Sequence, residues 1–137
     1  MLIWLPPSEG KNAPAQGPSL DVNALSRAGL AASRRTVCDT LAALGDGPEA
    51  AAILKVGVRI DLSVNTALNS APCAPASSLF TGVLYEAIEE CAPGAWSSAG
   101  AAHVSIFSGL FGVLSPSDIV PDHRLAMGVS LPGLGVL

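Results

Sequence analysis

Aromatic side chains are scarce in this chain of 137 residues, which holds three Phe, two Trp and one Tyr. With half of all residues hydrophobic and alanine prominent among them, the core it can build is aliphatic and closely packed. Cysteine is limited to Cys38, Cys73 and Cys91, an odd number without C-x-x-C spacing, which excludes a disulfide framework or a zinc site of the usual kind and leaves buried free thiols. Histidine is rarer still. His103 and His123 stand twenty positions apart, with no H-E-x-x-H frame, so no metal ligand set is expected. No internal repeat occurs, and no apolar run approaches the roughly 20 residues that a membrane-spanning helix requires. The opening Met1-Leu2-Ile3-Trp4-Leu5 has no basic leader and is stopped at once by Pro6-Pro7, so the expectation is a cytoplasmic protein with no membrane partner.

Positive charge is missing from most of the second half. Residues 1–60 carry six cations (Lys11, Arg27, Arg34, Arg35, Lys55, Arg59) against five acids, while residues 61–137 carry only Arg124 against six, for a whole-chain net charge of −4. That balance argues against a protein that coats DNA indiscriminately, because such binding is driven by phosphate neutralisation. A localised basic site remains open.

What is present reads as α/β, short strands with several packed helices. Leu2 to Leu5 is a short buried strand closed by two prolines, and Ser8 to Asn12 forms the loop at its end, where α/β proteins place their chemistry. Val37, Leu41 and Leu44 recur at helical spacing, with Ser33 as the expected N-cap and Gly45 as the stop. Pro48 suits the first turn of a second helix through Lys55, and Asp61 to Leu68 reads as a third, short one. Phe80, Val83, Leu84, Ala87, Ile88 and Cys91 mark one face of another helix, whose Glu86, Glu89 and Glu90 form a solvated side. His103 to Phe107 gives a second strand and Leu125 to Val129 a third. The apolar, glycine-rich ending from Leu131 to Leu137 is unlike the polar end of a finished fold, so residues 1–137 are expected to be the N-terminal part of a single domain.

Short motifs taken singly carry little. Ser8-Glu9-Gly10-Lys11 fits the S-x-x-K pattern of serine hydrolases, but no K-T-G or S-D-N partner follows. It fails as a phosphate-binding P-loop, since Leu5 replaces the first glycine and Asn12 the magnesium-holding hydroxyl. Leu131-Pro132-Gly133-Leu134-Gly135 resembles the hairpin of helix-hairpin-helix elements, without flanking helix patterns. His123, beside Asp122 and Arg124 in a Pro-bounded loop, is better placed for function than His103, which opens a strand.

Three longer segments do more together. Leu5-Pro6-Pro7-Ser8-Glu9-Gly10-Lys11, Leu79-Phe80-Thr81-Gly82-Val83-Leu84-Tyr85-Glu86, and Phe107 to Asp118 followed by His123-Arg124-Leu125-Ala126-Met127-Gly128 resemble, in order and spacing, the YaaA family of peroxide-stress proteins. The resemblance implies an α/β fold, a cytosolic role in limiting free intracellular iron under peroxide, and a basic cleft that binds DNA. It implies no cofactor. It matches Lys11 with the lysine of the family's first motif and Arg124 with the arginine of its Y-R-L-x-M-G segment. The chain departs from the family at Ser115, usually arginine, and at His123, usually tyrosine.

Three functions follow as expectations. In the first, Lys11, the Arg34–Arg35 pair and Arg124 converge on one cleft and contact DNA phosphates, a task suited to the planar guanidinium fork. In the second, an enzyme acts on nucleic acid with Lys11 as amine nucleophile and Glu9 or Asp118 as proton carrier; such a lysine needs a lowered pKa. The third is non-catalytic iron handling or protein interaction. Against all three stands the plainer expectation that Lys11, Arg124 and Asp118 only tie loops together.

Overall fold

The computed structural model describes residues 1–136. Strand β1 (Ile3–Leu5) pairs in parallel with β3 (Val104–Ser108), in a register that sets Leu5 against Ile106, and β4 (Gly112–Leu114) adds antiparallel to β3. Between β1 and β3 run helix α1 (Ala31–Leu44), α2 (Pro48–Leu54), strand β2 (Cys73–Pro75), α3 (Ala76–Leu79) and α4 (Val83–Cys91). Strand β5 (Ile119–Pro121) pairs antiparallel with β2, and β6 (Ser130–Leu131) with β7 (Gly135–Val136). Four helices and several small sheets make the mixed α/β class that the sequence leads one to expect.

The core is aliphatic. Leu41, Leu54, Leu68, Leu79, Ile106, Leu114 and Val120 are buried in one cluster, with Phe80, Tyr85 and Phe111 the aromatic members. Helix α1 turns Arg34, Cys38 and Leu41 inward at i, i+4 and i+7, with Val37 and Leu44 half-buried beside them. The thiols of Cys38 and Cys73 are buried, whereas Cys91 is exposed at the end of α4, against the expectation of three buried thiols.

Several boundaries differ from the sequence expectation. Helix α1 starts two residues before Ser33, because a 3-10 turn over Ala28–Leu30 leads straight into it; its C-terminal stop at Gly45, with φ 79°, is as expected. Ser63–Thr66 is one 3-10 turn, and the helix expected from Phe80 begins at Val83, since Phe80 is extended and Gly82 adopts φ 114°. Leu125 to Val129 is not a strand; the chain turns there and pairs only at β6. Leu131 to Gly135 is the turn of a β-hairpin, so the helix-hairpin-helix likeness ends at the glycines. Leu137 lies outside the described residues.

Candidate functional site

Parallel pairing of β1 with β3 brings both carboxyl ends to the same side of the sheet, the place where open α/β sheets gather ligands. The chain leaves β1 as the loop 6–12 and leaves β3 at Ser108-Gly109. Gly109 has to be glycine: a Cβ there would meet the carbonyl oxygen of Leu125 at 2.6 Å. The loop 6–12 is fastened to the segment before α4. Lys11 bridges Phe80 across an isolated antiparallel contact, Asn12 donates its backbone N–H to the carbonyl of Leu79 at 2.8 Å, and Thr81 donates to the carbonyl of Gly10 at 3.1 Å. The Ser8 hydroxyl donates to the carbonyl of Thr81, and the Tyr85 hydroxyl to that of Pro6 at 2.8 Å. The three sequence motifs thus converge in space.

Between them opens a hollow of about 430 Å³, lined by Ser8, Glu9 and Lys11 from the first loop, Lys55 and Ile60 beyond α2, and His123 to Met127 after β5. Lys11, Lys55 and Arg124 are its cations and Glu9 the one acid among the lining residues. A larger recess of about 590 Å³ beside α4 is lined by Glu86 and Glu89 with no basic residue, so it lacks the chemistry an anion needs. Lys55 reaches the hollow from the end of α2, where it adopts a left-handed conformation with φ 56°.

Lys11 is half-buried. Its Nζ donates to the carbonyl of Ser8 at 2.9 Å and lies 5.3 Å from the centroid of the Phe80 ring, whose π-face favours a cation. Burial first, and the nearby Arg124 guanidinium second, bring the amine down to about 8, against the opposing pull of Asp122 and Glu9. Arg124 is ion-paired with Asp122, and its Nη1 also donates to the carbonyl of His123 at 2.9 Å.

His123 is 2% exposed, with its ring edge-on to Phe111 and Phe80 at centroid distances of 5.1 and 6.0 Å. Its Nδ1 lies 2.8 Å from the carbonyl oxygen of Pro121. A carbonyl can only accept, so Nδ1 carries the proton and Nε2 carries the lone pair. Burial, with the Lys11 ammonium adding to it, pushes the ring down to about 3, so the imidazole is neutral at any ordinary pH.

The sequence-expected site residues divide. Lys11, Glu9 and Arg124 meet at the hollow. Arg34 does not: it is 2% exposed, and its guanidinium donates to the carbonyls of Phe111, Ser26 and Val113 at 2.9, 2.8 and 2.8 Å. A guanidinium 2% exposed and held by three backbone carbonyls away from the hollow presents no face to a phosphate, so its expected DNA contact is withdrawn. Arg35 points to solvent on the next position of α1 and donates to Asn23 Oδ1 at 2.8 Å, away from the residues lining the hollow. Asp118 is buried, and its carboxylate accepts from the backbone N–H groups of Ser26 and Ser115, both at 2.9 Å, and from the Ser26 hydroxyl. For Asp118 the plainer expectation, a loop tie, is what the geometry gives.

Two contributors were missed by sequence reasoning. Lys55 was visible only as a helix-end cation. Asn65 is fully buried and brackets the peptide of Arg124, with Nδ2 donating to its carbonyl at 2.9 Å and Oδ1 accepting from its N–H at 2.8 Å. No local pattern announces a contact across fifty-nine positions of sequence.

A mixed α/β fold whose parallel strand pair opens onto a cation-lined hollow is the class these elements define. The chain belongs to the family described as peroxide stress protein YaaA, whose model matches residues 1–136, as the three motifs led one to expect. It is 42% identical over its whole length to a UPF0246 protein of Streptomyces coelicolor, covering 55% of that protein. It is 38% identical over 97% of its length to a UPF0246 protein of Corynebacterium efficiens and 36% over 96% to one of Corynebacterium glutamicum, covering 54% and 53% of them. The chain therefore spans about half the length of these curated relatives, matching their N-terminal half. No helix among the described residues is long and apolar enough to cross a membrane.

Proposed function

We propose that the hollow is part of the DNA-binding cleft of a cytoplasmic peroxide-stress protein, with Lys11, Lys55 and Arg124 taking phosphate oxygens. The observation that carries this reading is the gathering of three cations from separate segments around one cavity, with Glu9 the only acid lining it, in a chain whose net charge is −4. Ammonium and guanidinium groups position a nucleic acid through its backbone and release its counterions. On this reading the iron-limiting role belongs to the complete protein's action on DNA. Among the described residues no three His, Cys, Asp or Glu side chains gather as a metal ligand set. The test is duplex binding across salt concentration. Three phosphate contacts give a log–log slope of about −3, and each Ala variant at Lys11, Lys55 or Arg124 flattens it by about one. Affinity indifferent to ionic strength would sink the reading.

One observation favours a second reading, in which Lys11 is an amine nucleophile. With its pKa brought to about 8, a usable share of the amine is neutral near neutral pH. It would add to the aldehyde carbon of an abasic sugar and expel water to leave an imine, with Glu9 at the rim carrying the proton; Asp118, enclosed by Ser26 and Ser115, has no part in it. Borohydride trapping on abasic DNA tests this, and an adduct that persists in Lys11→Ala excludes it.

A further inference from the structure

Three features of the hollow constrain its ligand more closely than positive charge does. Its volume of about 430 Å³ falls in the roughly 300–1,000 Å³ range of small-ligand cavities, too small to enclose paired strands. Its lining is mixed: the cations Lys11 and Arg124 share it with the apolar residues Val56, Ile60 and Met127, the last two of which are exposed. A phosphate backbone alone leaves those apolar residues uncovered.

The third feature is His123. The ring lines the hollow and is 2% exposed, and with Nδ1 donating to Pro121 its Nε2 is an acceptor with no protein partner among the described residues; since no buried side-chain polar atom there is left unpaired, that nitrogen is open to the hollow. An ionised phosphodiester has no proton to donate, so it cannot satisfy that nitrogen. A ligand that fits all three features carries an anion, a flat or apolar body, and an N–H or O–H donor apart from the anion. An acceptor on the wall of the hollow favours the ligand that brings the donor.

We propose that the hollow binds a single nucleotide unit, its phosphate on Lys11 and Arg124, its base against Val56, Ile60 and Met127, and a sugar hydroxyl or base N–H donating to His123 Nε2. The unit is either a free nucleoside monophosphate or one unstacked nucleotide of a strand, and the proposal rests on the nucleic-acid reading above.

Calorimetric titration of the full chain with inorganic phosphate, adenosine and adenosine monophosphate tests it, with a single-stranded oligonucleotide and a duplex as further arms. The monophosphate should bind at least about tenfold tighter than phosphate or adenosine, and His123→Phe should shrink that margin to about threefold or less. Should the variant fail to fold, nitrogen NMR of the wild-type protein replaces it: the Nε2 resonance should move with adenosine monophosphate and stay in place with phosphate. Displacement of the oligonucleotide by the monophosphate supports the strand form, and monophosphate binding without displacement supports the free form. Equal affinity for phosphate and monophosphate, or an unmoved Nε2, overturns the proposal. Salt-dependent duplex binding with no monophosphate binding overturns it while leaving the DNA reading intact, and absence of binding in every arm removes both.

Discussion

Asn65 holds Arg124 by its peptide and not by its charge: the fully buried carboxamide accepts from the Arg124 N–H at 2.8 Å and donates to its carbonyl at 2.9 Å. The guanidinium is consequently aimed from a fixed stem, which is what a preorganised anion contact requires. Asn65→Ala leaves both backbone groups without a partner and should cost about 1–3 kcal/mol in urea unfolding. Phosphate or duplex affinity in the folded variant should fall as it does in Arg124→Ala, although Asn65 carries no charge. Unchanged affinity would show that Arg124 is placed by its ion pair with Asp122 alone.

Arg34 and Arg35 are neighbours in sequence and opposites in role. Arg34→Ala removes a buried cation and strands the carbonyls of Phe111, Ser26 and Val113, so a loss of about 3 kcal/mol or more is expected by thermal or urea unfolding. Arg35→Ala, at an exposed position, should stay within about 0.5 kcal/mol. Neither should change the salt slope of duplex binding. A flatter slope in Arg34→Ala with an unchanged melting profile would return that guanidinium to the nucleic acid.

Lys11 ties stability to pH on the alkaline side. Its folded-state value of about 8 lies below the ordinary lysine value, so between the two the unfolded chain binds more protons and stability attributable to this group rises with pH. Below pH 8 the buried ammonium is a constant cost. From pH 7.5 to pH 10 the urea midpoint should therefore change more favourably in wild type than in Lys11→Met. Anion affinity should move the other way, falling by up to about tenfold per unit once pH exceeds the value of the amine. An affinity flat from pH 7 to 10 would place the bound anion away from Lys11.

His123 acts on the acid side. Its folded value of about 3 lies below that of a free imidazole, so as pH falls through that window the unfolded chain takes up a proton that the native state refuses, and stability drops. Carboxylates titrate over part of the same range, so the measure is the difference between wild type and His123→Phe from pH 7 to pH 4. The variant should lose less. An equal loss would mean that the ring opens to water before it charges.

Legibility from sequence followed locality. The extended segment of β1 (though of the buried strand expected over Leu2 to Leu5 only Leu5 is buried), the body of α1 with its Gly45 stop, and the start of α2 at Pro48 were readable, because prolines, glycine and helical spacing act within a few residues. Strands β2, β4 and β5, of three residues each, carry too few positions for any period to register, and the pairing of Cys73–Pro75 with Ile119–Pro121 is fixed by tertiary contact. At the site, Lys11 and Arg124 were readable through the motifs that hold them. Arg34 misled because a cation beside a second cation looks like surface, while its spacing from Cys38 and Leu41 puts it on the buried stripe. Asn65 was silent, as a polar residue whose only importance lies in a distant peptide.

The pairing of Ile3–Leu5 with Val104–Ile106 also dictates timing. A ribosome adding about 5–20 residues per second delivers the second of these strands about 5–20 seconds after the first. Throughout that wait Leu5, buried in the finished protein, is exposed next to Leu2 and Trp4, which stay exposed even at the end. The nascent chain thus carries an uncovered apolar N-terminus for most of its synthesis, and its lysine and arginine first share a hollow only when nearly all of these residues have been made.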